Sequence, residues 1–350
     1  MLRWAQNRRV FFFEEPIDAP NTGSHIKVDP CGVVVVTPLL PKELSHEERV
    51  TAQRALVDEV VKGFGLTAPV LWYYTPMALP FSRHLEASAV VYDCMDELSG
   101  FLGCPPELRL LERELMSHAH VMFTGGQSLF ENKRKLHRNV HAFPSSVDVP
   151  HFAKARVIRN EPDDQANIPH PRIGFHGVID ERMDLDLLRG IAELRPDWHF
   201  VVLGPVVKID EALLPRNANI HYLGSKSYDQ LPAYLGGWDA TMLPFALNEA
   251  TRYISPTKTP EYLAGGKGVV STPIHDVVKP YGEQGLVRIA NTPQTFVKAV
   301  EACLAGCNDA WLLKVDRFLS NMSWDRTWQQ MYELVEAVAQ RQSGAMKQVG

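Results

Sequence analysis

The chain has 350 residues and a formal charge of −5 at pH 7, with 45% hydrophobic and 22% charged residues, which is too long for one small module and too apolar for a disordered segment. That balance lacks the basic footprint needed to track a phosphate backbone, so nucleic acid is not expected as a partner. Its apolar runs fall short of the roughly 20 residues that span a bilayer, and Val10 to Phe13 is too brief for a signal-peptide core, so a cytoplasmic chain without a transmembrane helix is expected.

In chain order, short β-branched and aromatic runs predict strands at 10–13, 33–37, 70–73, 89–93, 121–124 and 141–143, with helical spacing at 47–64 and 106–118 between them. Periodicity then breaks down over 153–171, a charged, proline-bearing stretch that includes Arg159-Asn160-Glu161-Pro162 and reads as a linker. A second series follows, with strands at 172–175, 200–203, 220–222, 240–243, 268–271 and 287–289 and helices over 293–305, 310–319 and 324–341. The fold class is therefore α/β, in two Rossmann-like domains facing a cleft: 1–152 and 172–322, with 323–350 a C-terminal helix returning to the first. Ligands of such sheets bind beyond the carboxyl ends of the strands. The cysteines, Cys31, Cys94, Cys104, Cys303 and Cys307, are scattered and odd in number, as reduced thiols are. Cys303 and Cys307 read as buried helix residues.

The most informative segment runs from Asn248 to Thr272. Pro256 and Pro260 punctuate a loop, and Pro260-Glu261-Tyr262-Leu263-Ala264 reads as the first turns of a helix. Lys258 there offers a positive charge to a diphosphate beside free amides at a helix start, and Glu261 offers acceptors to two ribose hydroxyls. Ser255 and Thr257 join them as donor-binding candidates. A first-turn glutamate also stabilises its own helix and a loop lysine is commonly just solvated, so the combination, rather than either residue, carries the reading.

After the strand at 172–175, Gly177 lets backbone approach phosphate oxygens, and Arg182 presents a planar cationic fork suited to a diphosphate leaving group. The nearby Asp180, Glu181 and Asp184 oppose that reading, and an ion pair is the alternative for Arg182. Lys226 and Tyr228, in the turn after the strand at 220–222, are candidates for the nucleotide base, against an ordinary polar turn. In the first half, Asp93 and Asp96 end a strand, and either could orient or deprotonate an acceptor hydroxyl, with a helix cap the alternative for Asp96. Asp184-Leu185-Asp186 has the D-x-D spacing of a metal site, but residues two apart on a helix do not face each other, so no metal is expected.

These residues resemble the nucleotide-diphosphate site of GT-B-fold glycosyltransferases of the group-1, family-4 type, and the resemblance covers nearly the whole chain. It implies a sugar transferred with retention from a nucleotide-diphosphate donor, such as a UDP-sugar, to a saccharide or lipid-linked acceptor in cell-surface polysaccharide synthesis, without a cofactor and with peripheral contact at the inner membrane face. Glu261 would be the ribose-binding member of the family's E-x7-E pair, while Tyr253 stands where its first glutamate belongs. Arg182, Lys258 and Asp96 are the catalytic candidates. Thr124-Gly125-Gly126 resembles the family's glycine turn and Ser145-Ser146-Val147-Asp148 its hinge sequence. The histidine of the usual His-Asp pair and an initial strand with its glycine loop are not found in the sequence. A nucleotide-sugar epimerase of the same fold and an inactive nucleotide-sugar-binding module are the alternatives.

Overall fold

The computed structural model describes residues 1–158 and 160–349, with side chains through 342; Arg159, within the anticipated linker, lies outside the described residues. The chain forms two compact units. One comprises Met1–Cys94, Pro106–Phe123 and the C-terminal segment from Trp328, and the other Met95–Pro105 and Thr124–Thr327. No helix among the described residues is long and apolar enough to cross a membrane.

The first unit opens with β1 (Val10–Phe13), β2 (Ile17–Asp18), β3 (Gly23–Val28) and β4 (Val33–Leu40). β1 and β2 flank β4 in parallel, and β3 folds back antiparallel onto β4. β2 and β3 have no counterpart among the predicted strands. Gly-Ser-His-Ile-Lys-Val alternates too little to read as half-buried, and four of the six β3 residues are solvent-exposed. The helix His46–Gly63 follows, its start fixed by a reciprocal capping box between Ser45 and Glu48. Then come β5 (Val70–Tyr73), β6 (Ala89–Cys94) and β7 (Val121–Thr124), in that order in a separate sheet. β1 and β5 are each an outermost strand of their sheet, and both line a cavity of about 1260 Å³ made wholly of first-unit residues. Their continuous apolar sequences, Val-Phe-Phe-Phe and Val-Leu-Trp-Tyr, are those of strands covered on both faces, yet seven of their eight residues are only half-buried. The C-terminal helix Trp324–Val349 packs Trp328 and Tyr332 against Trp4, with ring centroids 6.2 and 5.3 Å apart.

The second unit carries β8 (Val140–Ala142) and a six-stranded parallel sheet of β9 (Arg172–His176), β10 (His199–Leu203), β11 (Ile220–Tyr222), β12 (Ala240–Leu243), β13 (Gly268–Ser271) and β14 (Val287–Ile289). The spatial order is β11-β10-β9-β12-β13-β14, every pair parallel. This is the doubly wound order, and its direction reverses between β9 and β12, where ligands of such sheets bind. Alternate residues of β10 feed two cores, Val201 and Leu203 into one and Phe200 and Val202 into the other.

The stretch read as a linker is instead bound to this unit. Ala155 and Ile168 enter its core, as does Phe152 just before the stretch. Buried Gln165 accepts from Trp238 Nε1 at 2.8 Å and donates to the Tyr234 carbonyl at 3.1 Å, and buried Arg172 pairs with Glu161 at 2.5 Å. Charged residues gave it the look of a free connector, but Arg156, Glu161 and Asp164 are paired with Asp316, Arg172 and Lys226 of the same unit. Cys303 is buried as anticipated, whereas Cys307 is exposed and caps its helix.

Candidate functional site

The site is assembled at the carboxyl ends of β9 and β12, beside the reversal in strand order. β9 delivers His176 and then Gly177, whose φ of +138° is a region that L side chains rarely adopt. A Cβ at Gly177 would lie 2.1 Å from Lys258 Cε. The glycine is therefore the gap through which the Lys258 side chain passes. Gly204, at the end of β10, packs as closely: a Cβ there would stand 1.9 Å from the Gly177 carbonyl oxygen.

The following loop is held by the segment after β12. The Ala246 amide donates to the Arg182 carbonyl at 2.8 Å, and Asn248 Nδ2 donates to the Glu181 carbonyl at 2.9 Å. Arg182 does form an ion pair, its alternative reading, with a buried carboxylate as the partner. Its Nε and Nη2 donate to the buried Asp180 carboxylate at 2.9 and 2.6 Å, and its guanidinium lies 5.5 Å from the centroid of Phe101. The Asp180 bond, chiefly, holds Arg182 above its ordinary pKa, so Asp180 fixes the fork in place. Asp184 caps the next helix by accepting from the Leu187 amide at 2.8 Å, and Asp186 pairs with Arg189, so the two aspartates of the D-x-D spacing are separately engaged.

The loop after β12 leads to the helix Lys258–Ala264, which starts two residues before the predicted Pro260. Its opening amides are poorer than anticipated. Thr259 donates to the Pro256 carbonyl at 3.1 Å, Glu261 to that of Thr257 at 3.4 Å, and Pro260 has no N–H. What the site presents is side-chain charge. Burial, the largest influence, depresses the Lys258 ammonium, Glu261 opposes it, and Arg182, Asp180 and Asp96 are its further electrostatic neighbours. Burial raises Asp96, while Arg182 and Lys258 pull it back down. Glu261, one helical turn from Lys258, has a side chain 16% exposed and is pushed by burial up to about 7 against the pull of Lys258.

His176 carries no role in the sequence reading, its signal being only its place before a glycine at a strand end. It is buried, stacks 6.3 Å from Phe152, and meets Tyr262 edge-on at 4.9 Å. Burial, then Lys258, pushes its pKa down to about 3. It is therefore a neutral ring at neutral pH, with Nε2 3.4 Å from Glu261 Oε2, a close polar contact without hydrogen-bond alignment.

Arg182, Lys258, Asp96, Gly177 and Glu261 are thus brought together. Lys226 is not with them: it donates to Asp164 at 2.6 Å and lies over the Tyr234 ring, so its charge is already matched. Tyr228 borders the Glu261 side. It is 49% exposed, stacks at 4.2 Å on His151, and Glu261 is among the carboxylates that raise its phenol. Ser255 packs against Gly126, where a Cβ would lie 2.8 Å from Ser255 Cβ and 2.1 Å from Asp276 Oδ2, while Thr257 is exposed at the helix start. Asp93 belongs to the first unit, accepts from Trp72 Nε1 at 3.2 Å, and is raised by burial to about 6. Glu249 and Arg252 form an exposed pair at 3.5 Å. Among the described residues, no group of three or more His, Cys, Asp or Glu side chains is placed to hold a metal ion.

No protein-family model matches the chain. A curated relative, TuaH of Bacillus subtilis (strain 168), named as a glycosyltransferase of teichuronic acid biosynthesis, is 24% identical over 293 residues, 76% of this chain and 70% of its own length. Sucrose-phosphate synthase from Thermosynechococcus elongatus superimposes with a TM-score of 0.65 at 13% identity, covering 99% of this chain and 90% of that one. The chain has the GT-B fold and is a glycosyltransferase homologue. Another GT-B neighbour, Anabaena Alr3699/HepE in complex with UDP and glucose, matches with a TM-score of 0.64 at 13% identity over 87% of each chain.

Proposed function

We propose that this GT-B protein transfers a sugar from a nucleotide-diphosphate donor to a saccharide or lipid-linked saccharide acceptor in surface-glycan synthesis. The observation that carries the proposal is the convergence of Arg182 and Lys258, one locked by buried Asp180 and the other threaded past Gly177, at the β9–β12 reversal. Two fixed cations in a partly water-excluded place stabilise negative charge that builds on a departing diphosphate better than mobile surface lysines do.

In the proposed reaction the bond from the anomeric carbon to the diphosphate oxygen breaks with its electron pair passing to the diphosphate, which Arg182 and Lys258 neutralise. The acceptor oxygen forms the new bond, and its proton leaves to a base, for which Asp96 is the candidate beside the two cations. Glu261 would accept from ribose hydroxyls. Tyr228, exposed on that side, would stack against the base, and Ser255 and Thr257 would line the diphosphate loop. Retention of configuration and contact with a membrane's inner face are carried over from the resemblance alone, and a UDP-sugar donor from the resemblance and from the neighbour solved with UDP and glucose.

The test is calorimetric titration with uridine, guanosine and adenosine diphosphates on the full chain and on Lys258→Ala and Glu261→Ala. Binding of one diphosphate that both variants lose supports the site, and unchanged binding in both removes it. Tight binding with no turnover across donor and acceptor panels replaces transferase with binding module, and a donor isomerised without acceptor indicates an epimerase.

A further inference from the structure

A second cluster of reactive side chains lies in the same unit and takes no part in the proposed transfer. Cys303 is on the last turn of the helix Pro293–Gly306, and Cys307 is its cap, with φ −83° and ψ 77°, outside helical values. Cys303 is buried and Cys307 is exposed. Both sulfurs converge over Gly268, the first residue of β13: a Cβ there would stand 2.6 Å from Cys307 Sγ and 3.0 Å from Cys303 Sγ. Only a residue without a side chain leaves room for the pair.

The charged groups around it come from three elements. Arg288 of β14 donates Nη2 to the Ala302 carbonyl at 3.3 Å, at the foot of the same helix. Lys298 lies on that helix, and Lys267 immediately precedes β13. All three are cations. Arg288 and Lys298 line a cavity of about 460 Å³ together with both cysteines and Trp311, and no carboxylate is among the described residues lining it. The contact from Cys303, then Arg288 and Lys267, hold the Cys307 thiol below its ordinary range, while Cys303 is pushed up. Cys31 supplies the contrast within one molecule: also exposed, it faces Asp29, whose hydrogen bond raises its thiol.

We propose that Cys307 and Cys303 form a peroxide-reactive dithiol, with Cys307 the attacking sulfur and Cys303 the resolving one. In the first step Cys307 thiolate attacks a hydroperoxide, the O–O bond breaks, sulfur is oxidised to sulfenic acid, and the leaving oxygen takes a proton to become water or an alcohol. In the second, Cys303 attacks that sulfur, the S–O bond breaks, the S–S bond forms, and hydroxide departs as water with the Cys303 proton. Residues four apart on a helix hold their Cβ atoms about 5–6 Å apart, and a disulfide needs about 3.8 Å. The movement falls on the frayed end of a helix, where Cys307 has already left helical geometry.

The experiment exposes the full-length protein to hydrogen peroxide and follows the tryptic peptide that holds both cysteines, from Ala299 to Lys314. Loss of two hydrogens, reversed by dithiothreitol, is expected in the native chain. Cys303→Ser should accumulate a dimedone adduct on Cys307, and Cys307→Ser should give neither product. Iodoacetamide should alkylate Cys307 at least about threefold faster than Cys31 at pH 7, with Arg288→Gln narrowing that ratio, because each unit of thiol pKa changes thiolate tenfold while costing part of its nucleophilicity. No disulfide, an adduct on Cys303 first, or Cys307 reacting no faster than Cys31 overturns the proposal. The alkylation ratio is read on the native chain and so decides even if a cysteine variant fails to fold.

Discussion

Lys258 and Lys226 both stand at the carboxyl edge of one parallel sheet, Lys258 at the helix start that follows β12 and Lys226 in the turn after β11. Lys226 meets a carboxylate at 2.6 Å, Asp164, supplied by the stretch read as a linker. Lys258 instead runs beneath Gly177 and shares its surroundings with a second cation, Arg182. The first lysine fastens a segment, and the second is held where a ligand's negative charge would be most stabilising. A lysine's availability is thus set by what the fold places opposite it, which its own sequence neighbours do not reveal.

The contrast can be broken or sharpened in order of effect. Arg182→Gln should lower kcat by about 10²–10³, the range for removing one preorganised charge donor, while leaving KM for donor within a few-fold; an unchanged kcat in steady-state assays would remove Arg182 from the chemistry. Lys258→Ala should weaken diphosphate binding by about 10–100-fold, the worth of a charge-assisted contact, measured by calorimetry beside Lys226→Ala, which should change it less than about threefold. Equal losses in the two variants would erase the distinction.

Gly177→Ala should destabilise the protein by about 1–3 kcal/mol in chemical denaturation, because φ is +138° and the new methyl would meet Lys258. Gly224→Ala, with φ +70° but nothing within 4 Å, should carry the backbone penalty alone and cost less.

The last pair of effects concerns pH. Glu261 is raised from 4.5 to about 7, so the folded state prefers it protonated, and its contribution to stability is full below about 4.5 and fades as pH rises to about 7. His176 is lowered from 6.5 to about 3, so its contribution is full above about 6.5 and is lost as pH falls toward 3. Melting curves should show Glu261→Gln removing the decline on the alkaline side and His176→Phe, which keeps the stack on Phe152, removing the one on the acid side. A Glu261→Gln profile parallel to the native one would show that this carboxyl is not held protonated.

Much of the organisation was legible because it rests on local pattern. The buried strands of a parallel sheet are rich in apolar residues, as Phe200–Leu203 of β10 is, and β9 to β14 each end within a residue of their predicted limits. β2 and β3 were not legible, since exposed polar strands stabilised by pairing to β4 carry no such run. Lys258, Glu261 and Gly177 were readable from residue type and position beside strand ends. His176 was not, because a histidine's burial and depressed pKa arise from Phe152, Tyr262 and Lys258, all distant from it in sequence except through the fold. Lys226 and the linker mislead for the same reason, since Asp164 and Glu161 look solvated until their partners 62 and 11 residues away arrive.

By itself the sequence determined an α/β chain with two series of parallel strands and a glycine, lysine and glutamate at their carboxyl ends, because hydrophobic period and backbone permissiveness are properties of neighbouring residues. Tertiary structure decided where each charge is held and what faces it: Arg182 paired with Asp180 beside Lys258, Lys226 paired with Asp164 away from them, Lys258 threaded past Gly177, and two sulfurs gathered over Gly268. Electrostatic environment is fixed by what lies within a few ångströms in space, and only chain folding settles that.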